Sequence, residues 1–113
     1  MVKALTDTGF YLVDTNIQFR KNCAASDAPA DQRCRFARPE DEEAVAALAN
    51  KNIEYSRFHL DIGFDQTLAN RIKTEWARSY FKGTRGDQMV VAEVNGKIAG
   101  FNQLLTSNPQ VTQ

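Results

Sequence analysis

The sequence predicts an α+β fold with a mixed sheet, ordered strand, helix, helix, hairpin. Three observations point there. Residues 39–53 and 65–82 carry apolar side chains at helical spacing. Residues 89–94 and 97–105 form two runs rich in strand formers. Asn95-Gly96 separates those runs, and Asn-Gly is the strongest short hairpin signal because both central residues of the turn need positive φ.

The elements follow in chain order. Residues 1–9 read as the last turns of a helix, with Val2 and Leu5 three apart and Gly9 placed to end it. In residues 10–20, Val13, Thr15, Ile17 and Phe19 alternate with Asp14, Asn16 and Gln18. That period of two predicts a half-buried strand. Residues 22–33 have no periodicity and are rich in Ala, Asp, Ser and Pro, the composition of a linker. Residues 35–38 predict a short strand. Pro39 then opens a helix, and Glu40, Asp41, Glu42 and Glu43 complement its positive end. Val45, Leu48, Ala49 and Ile53 share one face of it.

Residues 54–64 read as an irregular connection. Asp65 is a good N-cap for the second helix, which Gly83 ends. Leu68, Ile72, Trp76 and Tyr80, four apart, predict an apolar ridge facing the core. After the hairpin, residues 106–109 read as a turn and residues 110–113 as the start of another strand. The predicted organisation is a remnant helix end and strand over residues 1–22, a linker over 23–34, and one larger unit over 35–113.

Composition excludes several function classes. Fourteen basic and 14 acidic residues give a formal net charge of zero, whereas nucleic-acid binders concentrate positive charge. No run of about 18 apolar residues occurs, so no membrane-spanning helix is expected. The N-terminus lacks the apolar core of a signal peptide. Cys23, Cys34 and His59 fall short of the roughly four ligands a zinc site needs. Cys23 and Cys34 could form a local disulfide, but without a sign of secretion free thiols and a cytoplasmic location are expected. The acidic turn at residues 40–43 reads as dipole compensation and not as a metal site.

Several words of the sequence resemble a known family. They are Leu5-Thr6-Asp7-Thr8-Gly9-Phe10-Tyr11-Leu12-Val13-Asp14, Ser56-Arg57-Phe58-His59-Leu60-Asp61, and Ile72-Lys73-Thr74-Glu75-Trp76-Ala77-Arg78-Ser79-Tyr80-Phe81-Lys82-Gly83. Arg85-Gly86-Asp87, Val91-Ala92-Glu93 and Gly96-Lys97-Ile98-Ala99-Gly100-Phe101-Asn102-Gln103-Leu104-Leu105 complete the set. In this order they resemble the opening of the GNAT superfamily of acyl-CoA N-acyltransferases, TDP-fucosamine acetyltransferase-like branch. The resemblance implies the acceptor-side part of an acetyl-CoA-dependent N-acetyltransferase acting on an amino sugar nucleotide or a related small amine. The family's acetyl-CoA loop, Gln/Arg-x-x-Gly-x-Gly/Ala, does not occur in this sequence, and neither does its downstream general-acid tyrosine. The chain therefore reads as cut at both ends, inactive alone, and without tight affinity for acetyl-CoA. No catalytic, cofactor-binding or metal-binding residue is assigned.

In that family the acceptor lies beside the two-helix segment, which makes Arg57, His59 and Asp61 candidates for acceptor contact. Arginine suits a diphosphate because it binds phosphate with two parallel hydrogen bonds. The structural alternatives are a carboxylate partner for Arg57 and a packing role for His59. Asn102 and Gln103 are polar positions in an apolar strand and are candidates for the side facing the acceptor cleft. Trp76 and Tyr80 read as core. The rival function is a non-catalytic module that binds a partner or itself. Open sheet edges at residues 97–105 and 11–19 predict a homo-oligomer.

Overall fold

The computed structural model of the chain describes residues 2–19, 31–108 and 111–112. The first helix, α1 (Val2–Thr6), stops short of the expected Gly9, and residues 7–9 form a turn. Gly9 adopts φ +92°, and the amides of Gly9 and Phe10 bond back to Thr6 and Leu5 at 3.1 Å. The strand expected over residues 10–20 is overturned: residues 10–19 take no regular structure. Alternation marks a strand only where a neighbour supplies ladder bonds and a face to cover the apolar side. Among the described residues neither exists, and Leu12, Ile17 and Phe19 stay exposed. Cys23 and most of the expected linker lie outside the described residues. Cys34, its last residue, instead opens the sheet.

Strand β1 (Cys34–Phe36) leads into a single 3₁₀ turn at Pro39–Asp41 and then α2 (Glu42–Asn52). The helix was expected to begin at Pro39. The turn is tighter because the Asp41 carboxylate accepts both the Arg38 amide and the Arg35 guanidinium, so it caps from inside the first turn. A one-turn helix, α3 (Arg57–Leu60), interrupts the expected irregular connection. Then α4 (Gln66–Phe81) starts at Asp65, whose carboxylate accepts the Leu68 amide at 3.1 Å.

The predicted ridge on α4 is only partly right. Ala69 and Ala77 are its buried residues, while Leu68 is 41% exposed and Ile72, Trp76 and Tyr80 are half-buried. Small residues at the contact let α4 lie close to α2, since interaxial distance depends on side-chain size. Arg78 of α4 clamps the pair by donating to Glu42 at 3.0 Å and Glu43 at 2.8 Å. The acidic start of α2 thus serves an ion pair as well as the helix dipole. No metal-binding cluster of acids, His or Cys exists among the described residues.

Strands β2 (Gln88–Val94) and β3 (Lys97–Leu104) form the predicted hairpin, with Asn95 at φ +52° and Gly96 at φ +72°. Their register shifts between Ala92, opposite Gly100, and Glu93, opposite Ile98, which leaves Ala99 as an unpaired bulge. The sheet order is β1-β2-β3. The α+β class holds, but all pairings among the described residues are antiparallel, so no mixed sheet forms there. Val45, Ala49, Ala77, Met89 and Val91 make the core between sheet and helices.

The last segment departs from expectation only in part, since a strand does fall at Val111–Thr112. Residues 106–108 are not a turn but strand β4 (Thr106–Asn108), and β5 (Val111–Thr112) pairs with it in a separate two-stranded sheet. Among the described residues no strand lies against the outer edge of β3.

Candidate functional site

The loop between α2 and α4 carries three of the five residues singled out from sequence, and it uses them differently. His59 is buried. Its Nε2 donates to Asn70 Oδ1 at 2.8 Å, and its Nδ1 accepts the Ser56 hydroxyl at 2.7 Å. Its carbonyl accepts the Gln66 amide group at 3.0 Å. Both ring nitrogens are thus engaged in fastening α3 to α4.

Asp61, two residues on, is partly exposed. Its Oδ1 accepts the Tyr11 hydroxyl at 2.7 Å and the Gly63 amide at 2.8 Å. These two donors, the hydroxyl first, hold its carboxyl below the ordinary range. Tyr11 is pushed above its ordinary value of 10.0 by the same bond. The second oxygen, Oδ2, takes no hydrogen bond from the described residues. Arg57 is exposed and finds no carboxylate among them; its guanidinium lies 5.0 Å from the centroid of the Phe58 ring.

Arg57 and Asp61 line one cleft of about 460 Å³ with Tyr11, Val13, Phe58 and Phe64. The irregular segment 10–19 forms its far wall. The Tyr11–Asp61 bond ties that wall to the rest of the cleft across fifty positions of sequence.

Asn102 and Gln103 lie elsewhere, along a groove of about 330 Å³ between α2 and β3. Asn102 is exposed. Gln103 donates to the Arg85 carbonyl at 3.0 Å and packs on Gly86 so closely that a Cβ there would meet its amide nitrogen at 2.8 Å. Gly86 also holds φ +86°, a region glycine enters without steric cost. The structure thus joins Arg57 with Asp61, and Gln103 with Arg85, but does not bring the five candidates into one pocket.

Two residues were missed in the sequence. Lys73 sits with its ammonium 5.4 Å from the Phe58 centroid and 4.6 Å from the Trp76 centroid. Arg85 lies 4.8 Å from the Trp76 centroid. Phe58 and Trp76 meet edge to face at 5.5 Å. Lys73 is held below its ordinary value by burial first, then by the charges of Arg57 and Arg85. The i, i+3 spacing of Lys73 and Trp76 was a legible signal for their contact. Nothing local pointed to Phe58 or Arg85 as their neighbours.

Another cleft, of about 530 Å³, touches Arg35, Asp41 and Glu93. Those three charges already satisfy one another, with Arg35 donating to both acids. The cleft of Arg57 and Asp61 is therefore the better candidate site. Comparison with known proteins adds no name to it: no family model, curated protein or solved structure matches this chain.

Proposed function

We propose that this chain is the acceptor-side part of an acetyl-CoA-dependent N-acetyltransferase whose substrate is an amino sugar nucleotide or a related small amine. The resemblance in the words around α3, α4 and the hairpin supports this reading, and so does the antiparallel order β1-β2-β3 with two main helices between β1 and β2. The observation that carries it is the pairing of Arg57 and Asp61 on one cleft. Asp61 offers an ionised carboxylate with one oxygen open, suited to a protonated amine as it docks. Arg57 offers an unneutralised guanidinium for phosphate.

In the complete enzyme the deprotonated amine would attack the thioester carbonyl of acetyl-CoA. A backbone amide would stabilise the oxyanion and the thiolate would leave with a proton. The residues for those steps lie outside the resemblance carried by this chain. What this chain would supply is acceptor binding and orientation. A cytoplasmic location belongs to the same proposal, because Cys34 is exposed and carries no disulfide.

The test is calorimetric titration of the chain with a nucleoside-diphosphate amino sugar and with its N-acetylated product. The amine should bind roughly tenfold more tightly than the product, and Asp61→Asn should abolish that preference. Absent binding, or equal binding of the two, would overturn the reading. The rival is a binding module, favoured by the exposed side chains of Phe10, Leu12, Ile17 and Phe19.

A further inference from the structure

Three cations gather around two adjoining rings on one side of α4. Arg57 lies on Phe58, Lys73 on both Phe58 and Trp76, and Arg85 on Trp76. None of the three has a carboxylate within ion-pair distance among the described residues. Three other arginines are neutralised, Arg33 by Asp31, Arg35 by Asp41 and Glu93, and Arg78 by Glu42 and Glu43, whereas Arg38 and Arg71 have no ion pair among the described residues and stand against no ring. The rings hold the cations in place without cancelling their charge.

We propose that Arg57, Lys73 and Arg85, interleaved with Phe58 and Trp76, form a binding site for a ligand with two adjacent phosphate groups. The proposal deepens the acceptor reading, and it rests on that reading only for the identity of the natural ligand. A single carboxylate would neutralise one of the three charges. A diphosphate matches the set better, with two guanidinium forks at the flanks and a compact ammonium between them. Lys73 is half-buried, so its attraction for an anion is less screened than that of a surface lysine. The same burial and like-charge crowding already disfavour its ammonium, and a bound dianion would relieve both.

The site is also prepared from behind. Gln103 holds the Arg85 carbonyl and fills the space over Gly86, which places the segment that presents the Arg85 side chain. Gln103 is thus a positioning residue. A single-stranded nucleic acid fits less well. Cations occupy the ring faces on which bases would stack, and the chain has no net positive charge.

Trp76 is the sole tryptophan, so its fluorescence reports directly on the site. Titration of the whole chain with inorganic pyrophosphate at low ionic strength should give a saturable change. Orthophosphate should bind roughly tenfold more weakly. Lys73→Gln and Arg85→Gln should each weaken pyrophosphate by roughly tenfold, while Lys97→Gln, at the far end of the hairpin, should not. Arg85 is exposed after the helix end, so its variant keeps the fold even if Lys73→Gln does not. No saturable change by fluorescence and calorimetry would overturn the site. So would equal loss in Lys97→Gln, or tighter binding of a short single-stranded oligonucleotide than of pyrophosphate. Pyrophosphate binding without preference for amine over N-acetylated sugar would keep this site and remove the acyltransfer reading. Amine preference without pyrophosphate binding would do the reverse.

Discussion

Arg35 grips Asp41 with two prongs, Nη1 to Oδ2 at 2.7 Å and Nη2 to Oδ1 at 3.0 Å. The same guanidinium reaches Glu93 through Nε at 3.1 Å and Nη2 at 2.9 Å. One side chain of β1 therefore joins the turn before α2 to β2. The Asp41 side chain is only 7% exposed, so little water competes for it.

Asp41→Asn should lower stability by roughly 1.5–3 kcal/mol, read as a lower urea midpoint with an unchanged slope. The Arg35 guanidinium and the Arg38 amide hold the Asp41 carboxyl at about 2, below its ordinary 3.8. As pH falls the unfolded chain takes up the proton first, so acid favours unfolding. The contribution is complete above the ordinary value and disappears as pH falls through about 2. The gap in thermal midpoint between the natural chain and Asp41→Asn should close across that window. A gap independent of pH would refute the assignment.

Tyr11 should ionise above its ordinary value, since it donates to Asp61. Spectrophotometric titration should resolve one tyrosinate above the ordinary value, and Asp61→Asn should return it to that value. Its folded value is raised, so the bond contributes below the ordinary value and is lost as pH rises through the folded one. If no tyrosinate forms above the ordinary value, segment 10–19 is not anchored at the cleft.

His59→Ala should destabilise the fold by roughly 1–3 kcal/mol, because Ser56 and Asn70 would lose their shared buried partner. The denaturant midpoint measures this. A variant as stable as the natural chain would return His59 to the list of side chains free to meet a ligand.

Self-association is expected through the open edge of β3, which carries unpaired amides and carbonyls among the described residues. Exposed Phe10, Leu12, Ile17 and Phe19 add apolar surface to hide. Sedimentation at tens of micromolar should show a homodimer, and Asn102→Lys on β3 should weaken it. A clean 12.7 kDa monomer would end the argument.

The chain alone should release no thiol from acetyl-CoA in an amine-dependent manner, since the Gln/Arg-x-x-Gly-x-Gly/Ala loop is absent from its 113 residues. A colorimetric thiol assay tests this. Amine-dependent release would show that another segment holds the cofactor.

Local chemistry by itself determined much of this protein. The Asn95-Gly96 turn and the Asp65 cap each depend on one or two residues and their immediate backbone, so they were legible in the sequence. The α2 face was legible too, because Val45 and Ala49 repeat at helical spacing and are buried together. Partner choice was not. Whether residues 10–19 form a strand depends on a neighbour to pair with, and Asp61 instead draws Tyr11 to a cleft wall. Which stripe of α4 is buried depends on how near α2 comes, and close approach selects Ala69 and Ala77 over the larger ridge. Of the candidate site, Arg57 and Asp61 were singled out through the family resemblance, which implies an acceptor beside the two helices. The Lys73–Trp76 contact was legible in their i, i+3 spacing, but Phe58 and Arg85 as their neighbours were not, because only tertiary packing sets them against the same pair. Spacing along a chain encodes contacts within a turn of helix or a hairpin, whereas contacts between elements follow from packing and charge in three dimensions.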